Sequence, residues 1–567
     1  MIKLPYGISN FEKLINDGYY FVDKTLYINE LENLNESYII FLRPRRFGKS
    51  LFVSMLSYYY DVARKEKFTH LFGKFAIGKQ PTKKANKYLI LNFDFSQIDT
   101  QTKETAFTDF RKNVLIGVKK FCLQYELTYE YFENIDKPAN IIKTLFVSIQ
   151  ETKLRHKIYI LIDEYDHFAN EMLSSDPNAF SDIVSRTGFV RKFYESIKYG
   201  TYDGIVDRMF VTGVTPITLD SMTSGFNIAQ NDTLDEDLNA MMGFTESETR
   251  RLLQTTCRDY PGDIDDLFKM MKDYYNGYCF NQNSSERIFN PDMALYFLNH
   301  LTKGHKYRIP KQLIDTNISS DYSKIARLFQ LGNLELNLET LNELIIEKNI
   351  SAQLTAEFSL QKEFDRDDFI SLLFYMGIIT IKQAALARIN FCVPNYVVTQ
   401  LYLKYFARVI EDRHQIKLKT DTISSALEAM ALHNNLAPFI KVVEELLKVL
   451  SFQDFKRFDE KYIKVAIVSY LSLTNLYFIK SEYELGGGYV DLLLLTRPPV
   501  IPNYQFAIEL KYMKKSEGNQ LSKRKRAAIT QLKGYLATKE ARSMSNLRGY
   551  TLIFVGDECR VCEAVHE

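Results

Sequence analysis

The chain has 567 residues, 46% of them hydrophobic and 25% charged, a mixture that excludes extended disorder and suggests three or so globular domains. Lys and Arg number 72 against 70 Asp and Glu, a net charge of +2, so no global field calls for a polyanionic partner and any nucleic-acid surface has to be local. Six scattered cysteines (Cys122, Cys257, Cys279, Cys392, Cys559 and Cys562), no apolar leader behind Lys3 and no apolar run of membrane length point to a reducing, cytoplasmic setting with no membrane partner.

Four short, nearly continuous apolar runs at 38–42, 88–95, 158–162 and 208–212 read as strands covered on both faces, with intervals long enough for crossover helices. They predict a parallel α/β sheet across the first 220 residues, within a domain of residues 1–300. From about 244 to 420 the pattern is mainly helical, and residues 301–420 are expected to form a second domain. There a helix at 367–375, short strands at 378–381 and 389–393 and a helix at 396–410 are compatible with a winged-helix module, and equally with a local packing device. Helices at 422–432 and 436–449 lead into a second α/β unit, domain 421–567. It is read as a helix at 461–472, strands near 478–483, 490–495 and 506–510, a helix at 526–536 and a last strand at 551–555.

The first strand runs into Arg43-Pro44-Arg45-Arg46-Phe47-Gly48-Lys49-Ser50, and a helix-compatible stretch from Leu51 follows. This is the P-loop pattern with Arg43 where the first Gly would stand. In that context the backbone N–H groups of the loop and first turn, Arg43 to Leu51 with Phe47 and Gly48 among them, face the phosphates of ATP, where the helix dipole favours anions. Lys49 is expected to reach the β/γ oxygens and Ser50 to ligate Mg²⁺. Arg43, Arg45 and Arg46 suit either phosphates or a surface ion-pair cluster. The third strand ends in Asp163-Glu164, the Walker B arrangement, with Asp163 aimed at the Mg²⁺ shell and Glu164 at the attacking water. The bland alternatives are a GKS that merely starts a helix and a solvated acidic turn; the two motifs together, in order and on strands, favour the nucleotide site.

The segments LPYGISNFEKLINDGYYFVDKT (4–25), RPRRFGKS (43–50), LIDEYD (161–166), VTGVTPITLDSMTSGFN (211–227) and YYNGYCF followed by FNP (274–280 and 289–291) resemble the bacterial AAA-ATPase-like family, whose members usually end in a domain of the PD-(D/E)XK nuclease superfamily. RPRRFGKS is the usual loop there, so the resemblance makes the missing Gly a family trait. It also implies that Asp23 and Lys24 lie near the nucleotide and that Thr212 is a sensor-like position. By residue type alone, Asp23 and Thr212 pass as a capping residue and a strand-end hydroxyl.

Near the C-terminus, Asp491 follows a Gly-rich turn and precedes the strand of Glu509-Leu510-Lys511, with which a hairpin is expected. Glu509 and Lys511, two apart, share a face. Asp491 and Glu509 are candidate ligands for Mg²⁺ or Mn²⁺, and Lys511 a candidate to orient or deprotonate the attacking water. A half-exposed strand pair with alternating charge is the ordinary explanation of such a pattern. The order Asp491, Glu509-x-Lys511, then Gln531 on a helix resembles the PD-(D/E)XK core, and Glu484 matches the acidic residue that often precedes the Asp strand, a further metal ligand by resemblance. Relatives often carry G-R-x-D where this chain has Gly488-Tyr489-Val490-Asp491, which removes a phosphate contact but no ligand. Residues 511–526 hold seven Lys and Arg against one Glu, either a backbone-neutralising basic loop or a solvated flexible one. Cys559 and Cys562 read as structural thiols on a terminal strand, and His167 as a loop residue close enough to touch the nucleotide site.

Together these readings predict an ATPase coupled to a metal-dependent nuclease acting on DNA, with Glu164, Asp491, Glu509, Lys511 and Gln531 in catalysis. The alternative is a nucleotide-dependent switch whose C-terminal domain binds nucleic acid or protein without cutting. Substrate form and oligomeric state, a homo-oligomer included, are left open.

Overall fold

The computed structural model describes residues 2–152, 154–175, 188–217, 227–315, 318, 331–358, 364–414, 420–453 and 460–566. Residues 218–226 of the VTGVTPITLDSMTSGFN segment lie outside that set. The chain divides into two compact units, one of residues 1–302, 324–340 and 348–396, the other of residues 303–323, 341–347 and 397–567. The stretch expected as a separate middle domain, 301–420, is shared between them. Among the described residues no helix is long and apolar enough to cross a membrane.

The first unit is built on a parallel sheet of β1 (Tyr38–Leu42), β2 (Leu89–Asp94), β3 (Ile158–Asp163), β4 (Val206–Gly213) and β5 (Gln230–Asn231), in the order β2-β3-β4-β1-β5. All six residues of β3 are buried, as its unbroken apolar run requires of a strand covered on both faces. Each fully buried Ile or Leu there contributes about 1.5–3 kcal/mol. Helix α1 (Lys49–Tyr60) follows β1, while α2 (Lys103–Gln124) and α3 (Pro138–Gln150) carry the chain from β2 to β3. Thr102 and Thr105 close a capping box at the start of α2. Helix α4 (His167–Ser175) follows β3, and α5 (Phe189–Tyr202) precedes β4. The carboxyl ends of β1, β3 and β4 share one edge, and β1 lies at the point where the strand order reverses, the usual place for a ligand in such a sheet.

Residues 348–396 form β6 (Ile350–Ala352), α6 (Arg366–Tyr375), β7 (Thr380–Ala385) and β8 (Arg388–Cys392), with an antiparallel sheet ordered β6-β8-β7. Every residue of α6 from Asp368 to Tyr375 is buried. Thr380 Oγ1 accepts from Cys279 N at 2.7 Å and donates to Cys279 O at 2.9 Å. The first helix of this helix–hairpin order is thus packed inside the first unit, its hairpin tied to Cys279.

In the second unit, helices α7 (Tyr396–His414), α8 (Thr420–His433), α9 (Ala437–Gln453) and α10 (Glu460–Leu471) cover one face of a mixed sheet. Its strands, β9 (Tyr477–Leu485), β10 (Gly488–Thr496), β11 (Gln505–Met513), β12 (Leu547–Val555) and β13 (Glu558–Val565), lie in sequence order. Only the β11–β12 pair is parallel, and α11 (Leu521–Leu536) makes that crossover, packing Leu532 and Leu536 on the other face. The Gly-rich turn at Gly486 and Gly487, both with positive φ, closes the β9–β10 hairpin. It does not join the Asp491 and Glu509 strands, which are antiparallel neighbours connected through residues 497–504. Lys523 to Arg526 lie in the opening turns of α11 instead of in a loop.

Candidate functional site

Gly48 has φ 92°, open to glycine alone without strain, and Arg46 has φ 71°. These two left-handed residues turn the loop so that Gly48 caps α1 and Lys49 is its first residue. The Lys49 ammonium, 3% exposed, lies 3.1 Å from Arg43 O, 3.3 Å from Pro44 O and 3.6 Å from Glu164 Oε1.

Arg43 departs from its expected role. Its N–H donates to Gly213 O at 3.1 Å, and its guanidinium, 1% exposed, donates to the carbonyls of Leu42 (2.9 Å), Thr233 (2.8 Å) and Leu238 (3.0 Å). It is stacked between the rings of Phe41 and Phe280, 4.1 and 4.3 Å from their centroids. Burial pushes its pKa down to about 9, so it is still charged at neutral pH. The Arg43 guanidinium is thus committed to carbonyls and rings of the scaffold. The Phe47 ring is buried too, edge-on to Tyr278 and Phe280 at 5.0 and 5.4 Å. Asn290 Nδ2 donates to Arg45 O at 3.5 Å, and Asp292 pairs with Arg46 at 3.4 Å. The YYNGYCF and FNP segments thus hold the loop from behind.

At the sheet edge, strand register aligns Asp94 with Asp163, and Thr212 with Phe41. Burial, then the charge of Glu164, raises Asp163 to about 6, against the Ser50 hydroxyl and the Lys49 ammonium, which favour its charged form. Burial alone would raise Glu164, but Lys49, His167 and Arg45 outweigh it and hold its carboxyl below the usual range. Glu164 also has φ 51°, a strained setting for a non-glycine residue. Thr212 Oγ1 is buried without a hydrogen-bond partner among the described residues. Asp166 accepts from Val214 N (3.0 Å), Thr215 N (2.7 Å), Thr215 Oγ1 (2.8 Å) and Asn170 Nδ2 (2.6 Å), which ties the β3 and β4 exits together. Gly213 must be glycine here, since a Cβ would stand 2.3 Å from Asp166 Oδ1.

Lys24 lines an apolar cavity of about 100 Å³ beside Gly48 and Leu51, together with Tyr20, Met241 and Phe244. Asp23 is a turn residue, its carboxylate taken by Thr25 N, Thr25 Oγ1 and Ala76 N.

In the second unit Asp491, 6% exposed, accepts from Leu510 N at 2.8 Å, Lys464 Nζ at 2.7 Å and Lys511 Nζ at 3.3 Å. The Lys511 ammonium is 2.9 Å from Glu509 Oε1, and the fully buried Glu509 Oε2 accepts no hydrogen bond among the described residues. Burial, then the charge of Asp491, pushes Glu509 up to about 7 against Lys511 and Lys464. Lys464 also pairs with Glu482, which has φ 49°. Burial would lower the Lys464 ammonium, but Asp491 and Glu482 outweigh it and hold its pKa above the ordinary value.

Residues 5–223 match the family model described as a predicted AAA-ATPase, AAA-ATPase-like, and residues 458–564 match that of the PD-(D/E)XK nuclease superfamily. The chain carries an AAA-ATPase-like domain and a PD-(D/E)XK superfamily domain. Over 299 residues it is 28% identical to an uncharacterized protein in the vnfD 5′ region of Azotobacter chroococcum mcd 1. That match covers 52% of each chain, so this chain spans about half the length of that curated relative.

Within the PD-(D/E)XK domain, Glu484 is exposed and faces Tyr489 in the β9–β10 register, so the structure does not bring it to the cluster. Glu482, opposite Asp491 and linked to it through Lys464, is the acidic neighbour instead. Two-residue alternation from Glu484 could have pointed to Glu482; nothing in the local pattern pointed to Lys464, which arrives from α10. Gln531 lies on α11 and donates to Tyr535 Oη at 2.5 Å, which in turn donates to Tyr489 O at 3.0 Å. The structure gives it no contact with Asp491 or Glu509. Among the described residues no three His, Cys, Asp or Glu side chains stand together in metal-ligating geometry.

Proposed function

We propose that the chain binds ATP with Mg²⁺ at Gly48, Lys49, Ser50, Asp163 and Thr212, hydrolyses it with Glu164, and couples this to Mg²⁺- or Mn²⁺-dependent cleavage of DNA at Asp491, Glu509 and Lys511, in the cytoplasm. The observation carrying the first half is the Lys49 ammonium, buried behind the loop against two carbonyls and Glu164. β- and γ-phosphate oxygens are stronger partners for it, and its transfer to them frees Glu164 to polarise a water. The hydroxyl–carboxylate pair of Ser50 and Asp163 supplies hard oxygen donors for Mg²⁺, and the unpartnered Thr212 hydroxyl supports a γ-phosphate contact between them. The apolar cavity at Leu51 and Met241 suits the adenine base.

At the second site the buried Glu509 Oε2, without a hydrogen bond, supports cation binding with Asp491, waters completing a shell that two carboxylates leave open. The ion supplies Lewis-acid stabilisation of the phosphodiester. Lys511, between both carboxylates, orients the attacking water; an ammonium has no lone pair with which to ligate metal. The competing reading, a nucleotide-driven binding module that does not cut, is favoured by the two ammonium groups already on Asp491. Purified protein with Mg²⁺ or Mn²⁺, with and without ATP, on single- and double-stranded DNA and on RNA decides between them. Loss of ATP affinity in Lys49→Ala, by calorimetry, is expected; equal affinity would refute the loop assignment, and no cleavage of any substrate would leave the binding module.

A further inference from the structure

In the second unit a cavity of about 250 Å³ lies between α7, the segment 312–315, Asn475 and Arg497. Arg497 follows the last residue of β10, six residues from Asp491, or about 20 Å along an extended strand, so this cavity is separate from the carboxylate cluster. Its lining is polar in an unusual way. Arg497 is 3% exposed, and its terminal nitrogens are fixed on the carbonyls of Asn475 (2.8 Å) and Lys311 (2.9 Å). Its Nε is buried without a partner. Gln400 and Lys404, one turn apart on the same face of α7, line the cavity as well, and Gln400 Nε2 is also buried without an acceptor. Asp315 is the one carboxylate among the lining residues.

Burial, then the charges of Arg497 and Arg408, depresses the Lys404 pKa, so the two cations of the cavity repel each other. A like-charged pair with unmatched donors is a poor core, and replacing it with apolar groups of similar shape would cost little. The same donors are well arranged for an external anion: a fixed guanidinium edge, an ammonium and an amide on one wall. A phosphomonoester carries about −1.5 to −2 charge and enough acceptor oxygens for all three, where a carboxylate would balance only one of the cations. The volume approaches the about 300 Å³ at which small-molecule sites begin, too small for a folded partner. We propose that this cavity is a binding site for a small phosphate-bearing molecule, held by Arg497 Nε, Lys404 and Gln400.

The test uses the full chain with Lys49→Ala, to silence the P-loop, and the same chain with Lys404→Met or Gln400→Leu added. Equilibrium dialysis against labelled inorganic phosphate should show binding that weakens by about tenfold in Lys404→Met, with the loss of one charge-assisted contact, and less in Gln400→Leu. Glycerol phosphate should compete, and acetate at equal concentration should not. The melting temperature of Lys404→Met in phosphate-free buffer should be no lower than that of its parent. Should Lys404→Met melt early, Gln400→Leu, which keeps both cations, still reads the site by its weaker phosphate binding. Phosphate binding unchanged in both variants, displacement by acetate as readily as by glycerol phosphate, or competition by a single-stranded oligonucleotide but not by glycerol phosphate would each overturn the assignment.

Discussion

Several buried charges in this chain are settled by different means. Arg43 has carbonyls and rings, Lys49 has carbonyls and a carboxylate, and Asp232 has neither for one of its oxygens: Oδ2 is buried without a partner. Burial, then the nearby Glu36 and Asp235, raises Asp232 to about 6 against a hydrogen bond from Gln230. A carboxyl raised in the folded state stabilises while protonated, so its contribution is present below its unfolded pKa of about 4 and lost as pH rises through about 6. Asp232→Asn should therefore flatten the pH dependence of stability between about 4 and 6 and raise stability at pH 7. Urea denaturation across that range checks it, and an unchanged slope would place the titration elsewhere.

At the scale of elements, Asp166 joins the exits of β3 and β4 through four donors, all buried with it. Asp166→Ala leaves those donors unmatched and should cost about 3 kcal/mol or more, at about 1–3 kcal/mol per orphaned buried group less what water recovers. It should also lower ATP turnover, because Thr212 and Glu164 sit on the strands it aligns. The opening of α11 makes a contrasting case. Lys523, Arg524, Lys525 and Arg526 oppose the helix dipole, and Lys525 pairs with Glu563. Neutralising Lys523, Arg524 and Arg526 should weaken DNA binding and reduce the slope of log affinity against log salt by at most about 2.7, three contacts' worth.

The parallel sheet was legible because β1 to β4 carry nearly continuous apolar runs, a signal that depends on the chain alone. The end of β3 was legible for the same reason, which is how Asp163 and Glu164 were singled out, while Asp491, Glu509 and Lys511 were singled out by their spacing within and between two strands. What stayed hidden depends on contacts made across long separations. No local pattern says that Arg43 meets Thr233 and Leu238, that Asn290 reaches Arg45, or that Lys464 of α10 reaches Asp491. Glu484 was read as the acidic neighbour by resemblance, whereas Glu482, with its positive φ, pairs with the Lys464 that reaches Asp491, and neither feature has a signature in residue type.

For the molecule as a whole, two units with separate cores carry the two candidate chemistries. Asp491→Ala and Glu509→Ala should each abolish metal-dependent cleavage while ATP affinity, by calorimetry, stays within about twofold of the parent, since substitutions with no shared partners act independently. A parallel fall in ATP affinity would mean that the two sites share a folding unit. Lys511→Ala should lose cleavage yet keep metal binding, read by Mn²⁺ titration, because the ammonium is no ligand.

The burial of Arg43 also bears on how the protein can be dissected. The segment matched to the ATPase family ends at residue 223, but two of the acceptors of its guanidinium lie at Thr233 and Leu238, and one of its two stacking rings at Phe280. A fragment stopped at 223 would keep the phosphate loop, the Leu42 carbonyl and the Phe41 ring but lose the carbonyls of Thr233 and Leu238 and the Phe280 ring, leaving the buried cation under-satisfied. For anyone choosing expression boundaries, the smallest autonomous ATPase piece is set by that side chain and not by where the family likeness ends.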